Sequence, residues 1–225
     1  MYNQKVSTRV RSISNEYYHV YNRGVEKRVV FNHQHDYQRF LLLLLLSNDT
    51  TSVDINQSIR DFTIPELIDK KRESLVSICA FSLLPNHYHL LISSLVDGGV
   101  GKFMQKVATG YTMYFNKKYE RTGVLFQGKY KIKHAEDDRY IKYLFEYIHL
   151  NLIREEFDLI DPDSVGALIE RLEKDQRSSM SVYSGHEEGR LSDSVLSKKL
   201  FAELFPSYNQ HRQSLKDWKE EPGFF

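Results

Sequence analysis

His87 and His89 stand two residues apart in a run of β-forming residues, and Tyr147 stands four residues before Asn151 in a run with helical spacing. On a strand, side chains at i and i+2 leave from the same face, so two imidazoles so placed can chelate one ion. Position 91 is Leu, so the His-x-His-x-His pattern of nucleotide hydrolases is absent. On a helix, i and i+4 share a face one turn apart, which sets a phenol beside a carboxamide. The phenol is a nucleophile once it loses its proton, and a carboxamide oxygen suits a hard divalent cation as a third ligand. Each pattern has a plainer reading. A bare His-x-His is often a pair of hydrogen-bonded structural histidines, and in a chain with 15 tyrosines one more is often core. Tyr140 and Leu144 continue the stripe of Tyr147. Asn151 within that apolar stripe weighs against simple packing, because a buried amide needs hydrogen bonds or a ligand.

The elements that must position these residues follow from periodicity. Residues 17–23, Y-Y-H-V-Y-N-R, are rich in β-formers and end at Gly24, which predicts a strand. Residues 36–46 predict a well-buried helix with Asp36 as its N-cap. Residues 48–61 read as a polar loop and 64–71 as a short helix. Strands are expected at 74–84 and 87–94, broken by Pro85 and Asn86, with Tyr88, Leu90 and Ile92 on the face opposite the histidines. Apolar positions 103, 107, 111, 114 and 115 give a helix over 100–119. Gly123 breaks it, and a strand over 124–134 and a helix over 137–154 complete the series. The fold class expected is α+β: a ferredoxin-like β-α-β-β-α-β antiparallel sheet with an added C-terminal catalytic helix. A mostly helical tail follows, with helices at 165–174, 195–205 and 208–218. The expected division is a body over 1–157 and an acidic extension over 158–225.

Composition is that of an ordinary globular protein, 41% apolar and 27% charged. The single Cys79 excludes an internal disulfide framework and fits a reducing cytoplasm. The polar, basic start carries no signal peptide pattern, and the apolar run 41–46 is too short to span a bilayer, so no membrane partner is expected. The overall charge of +1 hides an asymmetry. Residues 1–154 hold 22 basic against 15 acidic residues, a net of +7, and the remainder holds 9 against 15, a net of −6. A basic body suits a polyanion, and a solvated surface is the competing account. The acidic tail is expected either to shield the body or to complete its core through residues such as Leu172, Leu204, Phe205 and Trp218.

Taken together, four segments resemble the one-tyrosine HUH insertion-sequence transposases, and within them the REP-associated tyrosine transposases. They are Y-Y-H-V-Y-N-R-G at 17–24, L-L-P-N-H-Y-H-L-L at 83–91, T-G-V-L-F-Q-G-K-Y-K at 122–131 and Y-I-H-L-N at 147–151. A weaker match, S-S-M-S-V-Y-S-G at 178–185, reaches into the tail. The sequence departs from the family at Leu152, where Pro is usual, and at Phe126, where Trp is frequent.

The resemblance implies that His87, His89 and Asn151 hold a divalent metal, Mg2+ or Mn2+, and that Tyr147 is the nucleophile. The implied reaction is cleavage and rejoining of single-stranded or hairpin DNA through a 5′-phosphotyrosine, in a cytoplasmic, nucleoid-associated protein. The family includes dimers, in which the tyrosine helix serves the partner's site, and monomers. Expected DNA contacts are Arg23, Lys102, Lys106, Arg121, Lys129, Lys131 and Lys133, the last three sharing one strand face. Phe126 and Tyr21 are further candidates, as stacking surfaces for bases, with core packing the plainer role. Two other readings stand beside this one: a non-cleaving hairpin binder, and a two-tyrosine relaxase in which Tyr143 is the second nucleophile.

Overall fold

Among the described residues, four strands form one antiparallel sheet: β1 (Tyr17–Arg23), β2 (Val76–Leu84), β3 (His87–Ser94) and β4 (Lys131–Ala135), in the order β2-β3-β1-β4. Helix α1 (Gln34–Ser47) joins β1 to β2, and α4 (Gly99–Lys118) joins β3 to β4. This is the expected ferredoxin-like arrangement, and α5 (Asp138–Leu150) is the added helix. The computed structural model describes residues 12–52, 54–154, 161, 164–187 and 189–218.

The alternation of strand side chains divides the interior in two. Tyr18, Val20, Tyr88, Leu90, Ile92 and Ile132 turn to one face and bury against α1 and α4. On the other face Leu91 and Ala135 meet Leu144 and Ile148 of α5. A bulge shifts the β2–β3 register between Ile78 and Ala80. Its extra residue puts Cys79 and Ala80 together in the α5-side core while Ile78 and Phe81 stay in the other.

Several boundaries differ from expectation. Helix α1 begins at Gln34 with His33 as its N-cap, and Asp36 is the third residue of a capping box. The Asp36 carboxylate is fully buried and accepts from the backbone of Asn32 and His33 and from Tyr114, Lys118 and Tyr119, so it ties α1 to α4. The segment read as a loop contains α2 (Ile55–Asp61), capped by Asp54 accepting from the Gln57 N–H at 2.9 Å. Helix α3 (Ile64–Asp69) follows. The strand expected over 124–134 is confined to Lys131–Ala135. Gly123 and Gly128 adopt φ of +82° and +73°, which bends the intervening chain out of the ladder. That stretch instead clamps the end of β1: Val25 N–H donates to the Leu125 carbonyl at 2.9 Å and Gln127 N–H to the Arg23 carbonyl at 2.8 Å. Gly24 lies between them, and a Cβ there would collide with the Arg28 carbonyl oxygen.

The tail forms α6 (Val165–Glu173), α7 (Met180–Tyr183), α8 (Leu191–Val195), α9 (Lys199–Leu204) and α10 (Tyr208–Lys216). The single helix expected over 195–205 is therefore two shorter ones. Leu172, Phe205, Leu215 and Trp218 are buried in the α5-side core and Leu204 packs on it. The tail thus completes the core, the second of its two expected roles. It also covers the open edge of β2, an edge that would otherwise present unpaired backbone groups. Leu83 N–H donates to the Arg177 carbonyl at 2.8 Å, Phe81 N–H to Ser179 Oγ at 2.9 Å, and Ser197 N–H to the Ile78 carbonyl at 2.8 Å. These contacts account for the S-S-M-S-V-Y-S-G segment, whose Ser178, Ser179, Met180 and Ser181 are fully buried.

Candidate active site

Pairing across the sheet sets His89 between Ser82 and Tyr21, with Lys131 beyond Tyr21. One step along, Leu91, His19 and Lys133 form the neighbouring row. All of these except Ser82 and Leu91 are aromatic or basic, on a face that otherwise packs against α5. The His19, Tyr21 and His89 rings stack, with centroids 4.9–5.6 Å apart and interplanar angles of 15–27°. Tyr147 on α5 meets this stack edge-on, its centroid 5.8 Å from His89 and 6.1 Å from His19. The sequence-expected His87, His89 and Tyr147 therefore come together on one face, and the His87 and His89 rings lie 5.1 Å apart.

Both histidines are anchored through Nδ1. His87 Nδ1 lies 2.5 Å from Asn86 Oδ1, and Asn86 Nδ2 donates to the Lys27 carbonyl at 3.3 Å. The second bond fixes the amide orientation, so its oxygen faces His87 and the His87 Nδ1 carries the proton. His89 Nδ1 lies 2.8 Å from His19 Nε2. In each case Nε2 is the nitrogen left for a ligand. All three imidazoles are held neutral by burial: His19 is lowered to about 3, with Lys133 adding repulsion, and His87 to about 4, with Arg23 adding repulsion. His89 lies well below its ordinary value, for burial and for its two neighbouring histidines. A metal ligand must be unprotonated, so this donor pair fits a divalent cation.

Asn151 is the C-cap of α5, and its Nδ2 donates back to the Tyr147 carbonyl at 3.3 Å. Its amide is thus turned onto its own helix. Among the described residues no group of three or more His, Cys, Asp and Glu side chains is placed to hold a metal.

The basic residues divide by location. Arg23 is exposed and paired in register with His87. Lys131 is exposed, its Nζ 5.7 Å from the Tyr21 ring centroid. Lys133 is half-buried in the wall of the site, its Nζ 4.9 Å from the centre of the Tyr140 ring, and desolvation lowers its pKa. Lys129 is exposed but precedes β4, so it does not share the face of Lys131 and Lys133 as a strand residue. Lys102 is exposed on α4, which covers the opposite side of the sheet. Lys106, also on α4, donates to the Asp49 and Thr51 carbonyls at 2.6 Å and so holds a loop. Arg121 donates to Asn116 Oδ1 at 2.7 Å at the end of the same helix. The structure therefore does not bring Lys102, Lys106 and Arg121 to the histidine face. Phe126 is buried in the α1/α4-side core, which takes it away from any base. Tyr143 is buried and stacks on Trp218 at 5.6 Å.

His19 is the site residue that motif reasoning missed. The signal was present: His19 and Tyr21 have the same i, i+2 spacing as His87 and His89. Only the pairing of β1 with β3 reveals that the two pairs interlock.

The four-stranded sheet with its crossing helix is the fold in which comparison with known proteins places the chain. Residues 12–151 match the family model described as Transposase IS200 like. The chain belongs to the IS200-like transposase family. Among solved structures it is similar to a REP-associated tyrosine transposase bound to a REP hairpin, with a TM-score of 0.53 and 11% identity. That match covers 82% of this chain and 88% of the other. No curated protein sequence matches.

Proposed function

We propose that this chain cleaves and rejoins single-stranded hairpin DNA, with Tyr147 as the covalent nucleophile. The observation that carries the reading is the approach of Tyr147 to His89, at 5.8 Å between ring centroids, within one chain. Tyr147 is accordingly read as acting on its own chain's site. The partner assigned is a DNA hairpin, since the similar solved transposase is bound to a REP hairpin. Residues 1–157 are taken as the DNA-processing body and 158–225 as its extension.

His87 and His89 would hold a divalent cation, Mg2+ or Mn2+, with Asn151 as third ligand through Oδ1, the amide atom not engaged by the bond from Nδ2 to the Tyr147 carbonyl. Bound there, the cation would neutralise charge developing on the phosphate oxygens. Tyr147 Oη attacks phosphorus in line, an O–P bond forms, and the bond to the 3′-oxygen breaks. A phenol ordinarily has a pKa of about 10, so its proton leaves as the new bond forms. The departing 3′-oxygen ends as a 3′-hydroxyl, and the phosphate stays on the tyrosine as a 5′-linked ester. Attack by a 3′-hydroxyl reverses the step without ATP, which suits strand transfer better than hydrolysis. Arg23, Lys131 and Lys133 flank the site and supply the positive charge that draws the strand to it.

The test is incubation with end-labelled hairpin DNA and Mn2+, followed by a denaturing gel. A labelled adduct that disappears in Tyr147→Phe is the expected result. Hairpin binding without any adduct would make this protein a DNA binder that does not cleave.

A further inference from the structure

We propose that His19 is a positioning residue that sets the tautomer and orientation of His89 by accepting a hydrogen bond from its Nδ1. This rests on the reading of His87 and His89 as metal ligands.

A neutral imidazole carries one proton on either nitrogen, and only the unprotonated nitrogen can bind a metal. For His87 the choice is fixed by a carboxamide oxygen, which can only accept. The Nδ1 of His89 faces another imidazole nitrogen instead, His19 Nε2, at 2.8 Å. When His19 presents its Nε2 lone pair, His89 keeps its proton on Nδ1 and offers Nε2 to the cation. An acceptor on the non-ligating nitrogen is the usual support for a metal-bound histidine, where it fixes ring orientation and raises basicity.

Packing alone does not account for an imidazole at position 19. The residue is 2% exposed, and its Nδ1 is buried without a hydrogen-bond partner among the described residues. A stranded polar atom costs stability that a phenyl ring of similar size would not. The ring stacks on Tyr21 and His89 at 4.9 and 5.0 Å, and a phenyl ring would do the same. What the imidazole alone supplies is Nε2 against His89. The strand register makes the contact: His19 pairs with Leu91, diagonal to His89, and the two rings lean together at an interplanar angle of 17°.

The experiment measures binding of Mn2+ alone to the full-length chain, by the electron paramagnetic resonance signal of the free ion. The proteins compared are wild type, His19→Phe, His19→Gln and His87→Ala, each with its thermal midpoint. His19→Phe keeps the stack and removes the acceptor. His19→Gln loses the ring and restores an acceptor near the place of Nε2. The expected result is a 10- to 100-fold loss of Mn2+ affinity in His19→Phe, of the order seen when a supporting hydrogen bond is removed, and substantial recovery in His19→Gln. Wild-type affinity in His19→Phe, or Gln binding no better than Phe, overturns the proposal. If wild type and His87→Ala bind Mn2+ equally weakly, the metal reading itself fails and takes this inference with it. Should His19→Phe not fold, nitrogen NMR on Mg2+-loaded wild type decides. A proton bonded to His89 Nδ1 and coupled across the hydrogen bond to His19 Nε2 supports the proposal, and a His19 ring protonated at Nε2 overturns it.

Discussion

Two groups of buried histidines meet different faces of α5, and they have opposite characters. His19 and His89 lie under Tyr147, joined by a 2.8 Å hydrogen bond, with His87 anchored on Asn86 beside them. His149 and His211 lie on the tail side, enclosed by Phe145, Tyr183, Phe201 and Phe205. There His149 Nε2 meets Ser179 Oγ at 2.7 Å, while neither nitrogen of His211 has a partner among the described residues. Both groups are uncharged, because burial penalises the imidazolium. A lowered pKa therefore does not distinguish a reactive site from a core. The distinction lies in what surrounds the rings. At the sheet face, polar partners fix one nitrogen and leave the other beside a phenol and lysines. On the tail side, aromatic walls close the space.

This contrast can be tested at four points. Tyr147→Phe has the largest expected effect: covalent adduct falls below detection while hairpin affinity changes less than about threefold, since one hydroxyl is lost and the ring remains. Adduct persisting in that variant would move the nucleophile elsewhere, with Tyr143 the next to be substituted. Next, His87→Ala should cut cleavage by about 100-fold, the order lost with a metal-site interaction, and excess Mn2+ should restore only part of it. Full cleavage in a strong chelator would remove the metal from the mechanism.

The third test addresses the tail-side pair. Burial holds His211 at about 3, below its unfolded value of about 6.5. Its contribution is therefore complete above pH 6.5 and is lost as pH falls toward 3, by at most about 1.4 kcal/mol per pH unit. His211→Leu should leave the thermal midpoint at pH 7 unchanged or higher, because it removes two unpaired nitrogens from an apolar space. It should also flatten the fall in midpoint between pH 6.5 and 4.5. An equally steep fall in the variant would assign the acid sensitivity to His149 or the sheet-face histidines instead.

The smallest effect is expected from charge. Lys131→Ala should make the slope of log affinity against log salt shallower by about 0.7, the share of one single-strand phosphate contact. Lys102→Ala, on the helix covering the opposite face, should leave the slope unchanged. Equal slopes for Lys131→Ala and wild type would place the DNA on another surface.

The sequence by itself determined the alternation of strands and helices, because periods of 2 and 3.6 are local properties written into each segment. It also determined that His87 and His89 share a strand face, and that Tyr147 and Asn151 share a helix face, for the same reason. It missed α2, whose start depends on Asp54 capping rather than on an apolar stripe. It made the last strand too long, because the two glycines with positive φ turn a segment that alternates like a strand into a clamp on β1. Other properties depended on pairing between residues far apart in the chain. The antiparallel register of β1 and β3 brought His19 to His89 across 70 positions of sequence. Burial of the tail against α5 made an acidic extension part of the core, since its apolar side chains outweigh its net charge in deciding where it lies.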